Sequence, residues 1–141
     1  MRYETNSVEE TRAVAKKLAN RFSAGDVICL SGDLGAGKTA FVSGFVKGFD
    51  FDGYVSSPTF ALIHEYPASV PIYHFDMYRI ETEDDAYAAG VDEYLYGDGI
   101  CLIEWSENIK DLLPEGYYTV TITKDVSKGE TYRQIVLEGA E

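Results

Sequence analysis

Apolar residues recur along this chain with two different spacings. After Ser7 and Glu10, which have the spacing of a helix-capping box, Val8, Ala15, Leu18 and Phe22 return at helical intervals up to a turn at "SAGD". "VICL" (Val27 to Leu30) is then a short β-branched run of the kind buried in parallel sheets. "TAFVSGFVKGF" predicts a second helix with Phe41, Val42, Phe45 and Phe49 on its inner side. "ALIHEY" and "IYHFDMY" read as strands around Pro67 and Pro71, paired as a hairpin, and "EDDAYAAG" as a short helix ended by Gly90. "ICLIEW" (Ile100 to Trp105) is another buried strand, and "YYTVTIT" and "YRQIVLE" alternate around "KDVSKGE" as an antiparallel hairpin. Strand and helix alternate in the first half and strands gather in the second. That order predicts an α/β fold: a mostly parallel sheet with added antiparallel strands, in one domain over residues 1–141.

Composition narrows the function. No apolar run reaches the ~20 residues of a membrane span, and "MRYETNSVEE" has none of the marks of a signal peptide. Cys29 and Cys101 each sit inside an apolar run, which predicts two buried free thiols in a reducing cytoplasm. With 24 acidic against 12 basic residues the net charge is −12, so most of the surface repels nucleic acid. An anionic ligand must be held by a local device.

"GDLGAGKT", Gly32 to Thr39, is that device: it fills every fixed position of G-x-x-x-x-G-K-[ST], between a buried strand and a helix. Gly32, Gly35 and Gly37 let consecutive backbone N–H groups turn inward toward phosphate oxygens, and the helix N-terminus near Lys38 adds its dipole. Lys38 is placed to neutralise β- and γ-phosphates and the Thr39 hydroxyl to ligate Mg²⁺. Such a loop needs a further acid for the metal and a group that orients the nucleophile. Asp76 ends "IYHFD" and Glu104 ends "ICLIE", both at C-terminal strand ends, where open α/β sheets bind ligands; one of the two is expected to serve the metal. Thr59, in "SSPTF", could sense γ-phosphate and Mg²⁺, or simply belong to a turn after Pro58. His64 and His74 lack metal-ligand spacing and read as core or surface histidines, and Trp105 could serve packing alone.

Within the phosphate-loop class, a GTPase needs N-K-x-D, but "NIKD" (Asn108 to Asp111) has the wrong order. A small-molecule kinase needs an arginine-bearing lid, and the five arginines (Arg2, Arg12, Arg21, Arg79 and Arg133) form none. A small ATPase is left, with a kinase or a nucleotide-regulated binding module as alternatives. Base contacts are guessed at Ser7 to Thr11 and Arg133, and Arg79 is the only arginine close in sequence to a site motif.

Taken in order, "GDLGAGKT", "SPTF", "YHFDMYR" and "LIEW" resemble the TsaE family, also called YjeE, closely from Thr5 to Trp105 and more loosely beyond. The resemblance implies a P-loop NTPase-like three-layer sheet. It also implies an ATPase that acts with the TsaD and TsaB proteins in the threonylcarbamoyladenosine modification of tRNA, meeting tRNA indirectly through that complex. Carried over residue by residue, the resemblance implies that ATP is bound by Asp33, Leu34, Gly35, Ala36, Gly37, Lys38, Thr39, Ala40, the switch-like Thr59 and Trp105. Lys38, Asp76 and Glu104 are the expected catalytic residues, with Thr39 and Glu104 holding Mg²⁺.

Overall fold

The computed structural model describes residues 1–33, 36–53, 55 and 62–139. Among the described residues seven strands form one sheet: β1 (Arg2–Thr5), β2 (Val27–Ser31), β3 (Ile63–Tyr66), β4 (Ile72–Asp76), β5 (Ile100–Glu104), β6 (Tyr118–Lys124) and β7 (Arg133–Gly139). Their spatial order is β1-β7-β6-β2-β5-β4-β3. The four central neighbours, β6, β2, β5 and β4, run parallel, while β3 is antiparallel to β4, β7 to β6 and β1 to β7. The expected mostly parallel centre with antiparallel additions is the architecture found.

Both faces of β2 and β5 are covered, which is why these two strands read as unbroken apolar runs. On one face lie α1 (Val8–Ala19) and α2 (Lys38–Lys47), packing Leu18, Phe41 and Phe45 against Ile28, Leu30, Ile100 and Leu102. On the other, α3 (Glu83–Ala88) and α4 (Val91–Leu95) bring Ala86, Val91 and Leu95 onto Val27, Phe75, Cys101 and Ile103. Adjacent residues of β5 therefore serve different cores, as a pleated strand requires. Cys29 and Cys101 are buried free thiols, as expected. Among the described residues no helix is long and apolar enough to cross a membrane.

Local sequence explains the boundaries, with some corrections. Ser7 Oγ accepts from the Glu10 N–H at 3.1 Å, but the Glu10 carboxylate returns to the Asn6 N–H rather than to Ser7. Helix α1 stops at Ala19, short of Phe22, whose ring still enters the core edge-on to Tyr118 at 4.8 Å. Val8, which shares the helical spacing of Ala15, Leu18 and Phe22, is 43% exposed. Gly90 ends the α3 segment with φ +80°, a left-handed turn that favours glycine. No pattern along the chain marks β1, α4 or the 3₁₀ turns over Ser106–Leu112. The hairpin of β6 and β7 was expected, but its parallel pairing with β2 was not.

Candidate active site

The glycine loop leaves β2 at Gly32 and delivers the chain to α2. A Cβ on Gly32 would stand 2.7 Å from the Ile122 carbonyl oxygen on β6, so only glycine lets the turn begin this close to the neighbouring strand. Gly37 has φ +102° and ψ 20°, a left-handed conformation, and its carbonyl accepts the Phe41 N–H at 2.9 Å to open the helix. Helix α2 thus begins at Lys38 with its N-terminus facing the loop, the arrangement that attracts anions. Thr39 and Ala40 fill its first turn. Leu34, Gly35 and Thr59, expected in the site, lie outside the described residues.

Asp76 and Glu104 are the last residues of β4 and β5 and are register partners, so the two expected acids stand side by side. Asp76 Oδ1 accepts the Tyr78 N–H at 3.2 Å, which shapes the turn after the strand. Glu104 points to the loop: its Oε1 lies 3.3 Å from Lys38 Nζ, with the two side chains only 13% and 16% exposed. Its other oxygen, Oε2, is 2.6 Å from His74 Nε2. Burial raises the Glu104 pKa, but the hydrogen bond with His74 and the charge of Lys38 outweigh it, holding the group below its ordinary value. The carboxylate is therefore ionised at neutral pH.

His74 is the residue that sequence reasoning passed over as bland. It is fully buried, as a core histidine should be, yet it is bonded to the central acid. The available signal was its place two residues before Asp76, on the same face of one strand.

Trp105 leaves β5 with φ +60° and ψ 40° and is 44% exposed, its indole edge-on to Tyr78 at 4.9 Å. It is no core residue. With Asp33, Lys38, Ser31 and Glu107 it lines an open cleft of about 390 Å³ beside the loop. Behind the loop a second, smaller depression is lined by Val8, Thr11, Gly37, Ala40, Thr131 and Arg133. It unites part of the guessed base site, although the Ser7 hydroxyl is occupied in capping α1 and Thr11 Oγ1 is paired with Thr5 Oγ1 at 2.8 Å. Arg133 also clamps the loop, donating from Nε to the Ala36 carbonyl at 2.8 Å. Arg79, the arginine close in sequence to a site motif, is exposed, whereas Arg133, remote from the loop in sequence, is bonded to it.

The donors suit a small, hard cation. Among the described residues no group of three or more His, Cys, Asp or Glu could hold a metal unaided. A cation here would need the ionised Glu104, the Thr39 hydroxyl, and oxygens from water and a phosphate ligand, which is the way Mg²⁺ is commonly held.

A family model described as "Threonylcarbamoyl adenosine biosynthesis protein TsaE" matches residues 5–135. The chain belongs to the TsaE family. It is 43% identical over 136 residues to the tRNA threonylcarbamoyladenosine biosynthesis protein TsaE of Bacillus subtilis, covering 96% of this chain and 83% of that one. The TsaE of Treponema pallidum is 38% identical over 123 residues, covering 87% of this chain and 90% of that protein. The crystal structure of Bacillus subtilis YdiB superposes with a TM-score of 0.80 at 36% identity, covering 100% of this chain and 86% of that one. Membership of TsaE places the chain in tRNA threonylcarbamoyladenosine biosynthesis.

Proposed function

We propose that this TsaE-family chain is a Mg²⁺-dependent ATPase that serves tRNA threonylcarbamoyladenosine biosynthesis in the cytoplasm, in complex with TsaD and TsaB. The observation that carries the reading is the meeting of Lys38, at the mouth of a glycine loop and helix N-terminus, with the Glu104 carboxylate 3.3 Å away at a strand end. A lysine and an acid so placed can divide a metal–nucleotide complex between them. Backbone from Asp33 to Ala40, including Leu34, Gly35, Ala36 and Gly37, cradles the phosphates, and Lys38 neutralises them. Thr39 and Glu104 would hold Mg²⁺, which would neutralise charge on the phosphate oxygens. Asp76, beside Glu104 at the sheet edge, orients the attacking water, and Thr59 reports the γ-phosphate. The depression at Val8, Thr11 and Arg133 receives the base, with Trp105 over the open cleft.

Dependence on partners follows from two properties. The guanidinium of Arg133 is spent on the carbonyls of Ala36, Glu130 and Tyr132, so it does not stand ready as a finger at the γ-phosphate. Such a group is worth roughly 10³- to 10⁵-fold in rate. A net charge of −12 also gives the chain no independent grip on tRNA. Steady-state phosphate release, measured with and without the TsaB–TsaD pair at two ionic strengths, tests the reading. Slow turnover alone, a clear rise with the pair, and a smaller rise at high salt are expected. Fast turnover indifferent to both partners would defeat partner dependence. ATP-dependent complex formation without any turnover would make the chain a binding module.

A further inference from the structure

His74 has no part in the scheme above, yet its surroundings are specific. The ring is fully buried, Nε2 lies 2.6 Å from Glu104 Oε2, and Nδ1 is buried with no hydrogen-bond partner among the described residues. A buried N–H without an acceptor is costlier than a buried lone pair. The arrangement therefore favours a neutral ring with its proton on Nε2, donated to Glu104. The carboxylate is then held at both ends, Oε2 by the ring from within the sheet and Oε1 by Lys38 from the loop. Without the ring, the carboxylate of a glutamate can rotate about its last bond and offer either oxygen.

We propose that His74 is a positioning residue: its Nε2–H pins Oε2 of Glu104, so that Oε1 alone is presented, to Lys38 as the structure shows and to a cation where phosphate would draw the lysine away. His74 touches neither nucleotide nor metal; it acts through Glu104. The cation step rests on the ATPase reading, whereas the hydrogen bond and the tautomer do not.

The test compares His74→Gln with His74→Asn. A glutamine amide carries an N–H to about the place of Nε2, and asparagine, one methylene shorter, does not. Binding of a fluorescent ADP analogue is titrated with Mg²⁺ and repeated in EDTA. The Asn variant should need on the order of tenfold more Mg²⁺ for half-maximal effect, the loss expected for one charge-assisted hydrogen bond, with Gln near wild type. In EDTA all three should bind alike. Equal behaviour of Gln and Asn would overturn the proposal, as would an Asn defect of the same size in EDTA. Nitrogen-15 NMR of the nucleotide-free wild type is the second arm, simple because the chain has two histidines. A neutral Nε2–H ring with a downfield proton that moves in Glu104→Gln is expected; a ring protonated on Nδ1 overturns the proposal even if the Asn variant does not fold. A wild type whose nucleotide affinity ignores Mg²⁺ overturns the ATPase reading and the cation step, while the NMR result still decides the hydrogen bond.

Discussion

Lys38 Nζ sits 3.3 Å from Glu104 Oε1, joining the first residue of α2 to the last residue of β5 across the mouth of the glycine loop. The pair is thus internally neutralised, and a phosphate must compete with a carboxylate for the lysine. Lys38→Ala should weaken ATP binding about tenfold or more and abolish turnover, because it removes a charge-assisted contact to phosphate. The fold should survive, since His74 still holds Glu104, at a cost on the order of 1–2 kcal/mol. Calorimetric titration and thermal unfolding check both parts; unchanged hydrolysis by the folded variant would sink the phosphate-loop assignment.

The two acids share a register position but not an environment. Glu104 is tied to Lys38 and His74, while Asp76 is bonded to the Tyr78 backbone. Glu104→Gln is therefore expected to raise the Mg²⁺ concentration needed for activity, and Asp76→Asn mainly to lower the maximal rate. A Mg²⁺ titration of both variants reads this, and the reverse pattern would exchange their roles.

Helices α1 and α2 approach so closely at Gly44 that a Cβ there would stand 2.1 Å from the Arg12 carbonyl oxygen. Gly44→Ala would gain about 1 kcal/mol of helix propensity. Backbone cannot yield as a flexible side chain can, so the helices must separate. The expected result is a net loss of about 1–3 kcal/mol in urea unfolding, against little change for the exposed Lys17→Ala. A Gly44→Ala protein as stable as the parent would show that the helices part freely.

Burial pushes the Cys101 thiol up to about 12 and also raises that of Cys29. At pH 8 neither should react with a disulfide reagent in the native protein, and both should react after denaturation. The sign for stability follows from the raised folded value. Cys101 contributes fully below its unfolded pKa of ~8.5, and the contribution is lost as pH rises through about 12. Urea midpoints should fall over that interval, and fall less in Cys101→Val. Rapid labelling of the folded protein at pH 8 would contradict the burial of both thiols.

Much of this molecule is legible in one dimension because its decisive features are local. The glycine loop declares itself since a left-handed turn at Gly37 and a close approach at Gly32 leave few other residues possible. Val27–Ser31 and Ile100–Glu104 announce buried strands by their side chains, and acids at strand ends are legible once strands are. What the sequence could not decide is which strands become neighbours. "RYET" has no strand pattern of its own and becomes β1 only because β7 offers it an edge. Period-two alternation puts His74 and Asp76 on one face, but only the parallel pairing of β4 with β5 sets His74 beside Glu104. Likewise Arg133 reaches the Ala36 carbonyl because β7 folds back along β6, which itself lies against β2. Turns and caps are fixed by the conformations a few consecutive residues can adopt. Partners remote in sequence are fixed by the one packing of the whole sheet that buries both of its faces, and that choice is made by the tertiary structure.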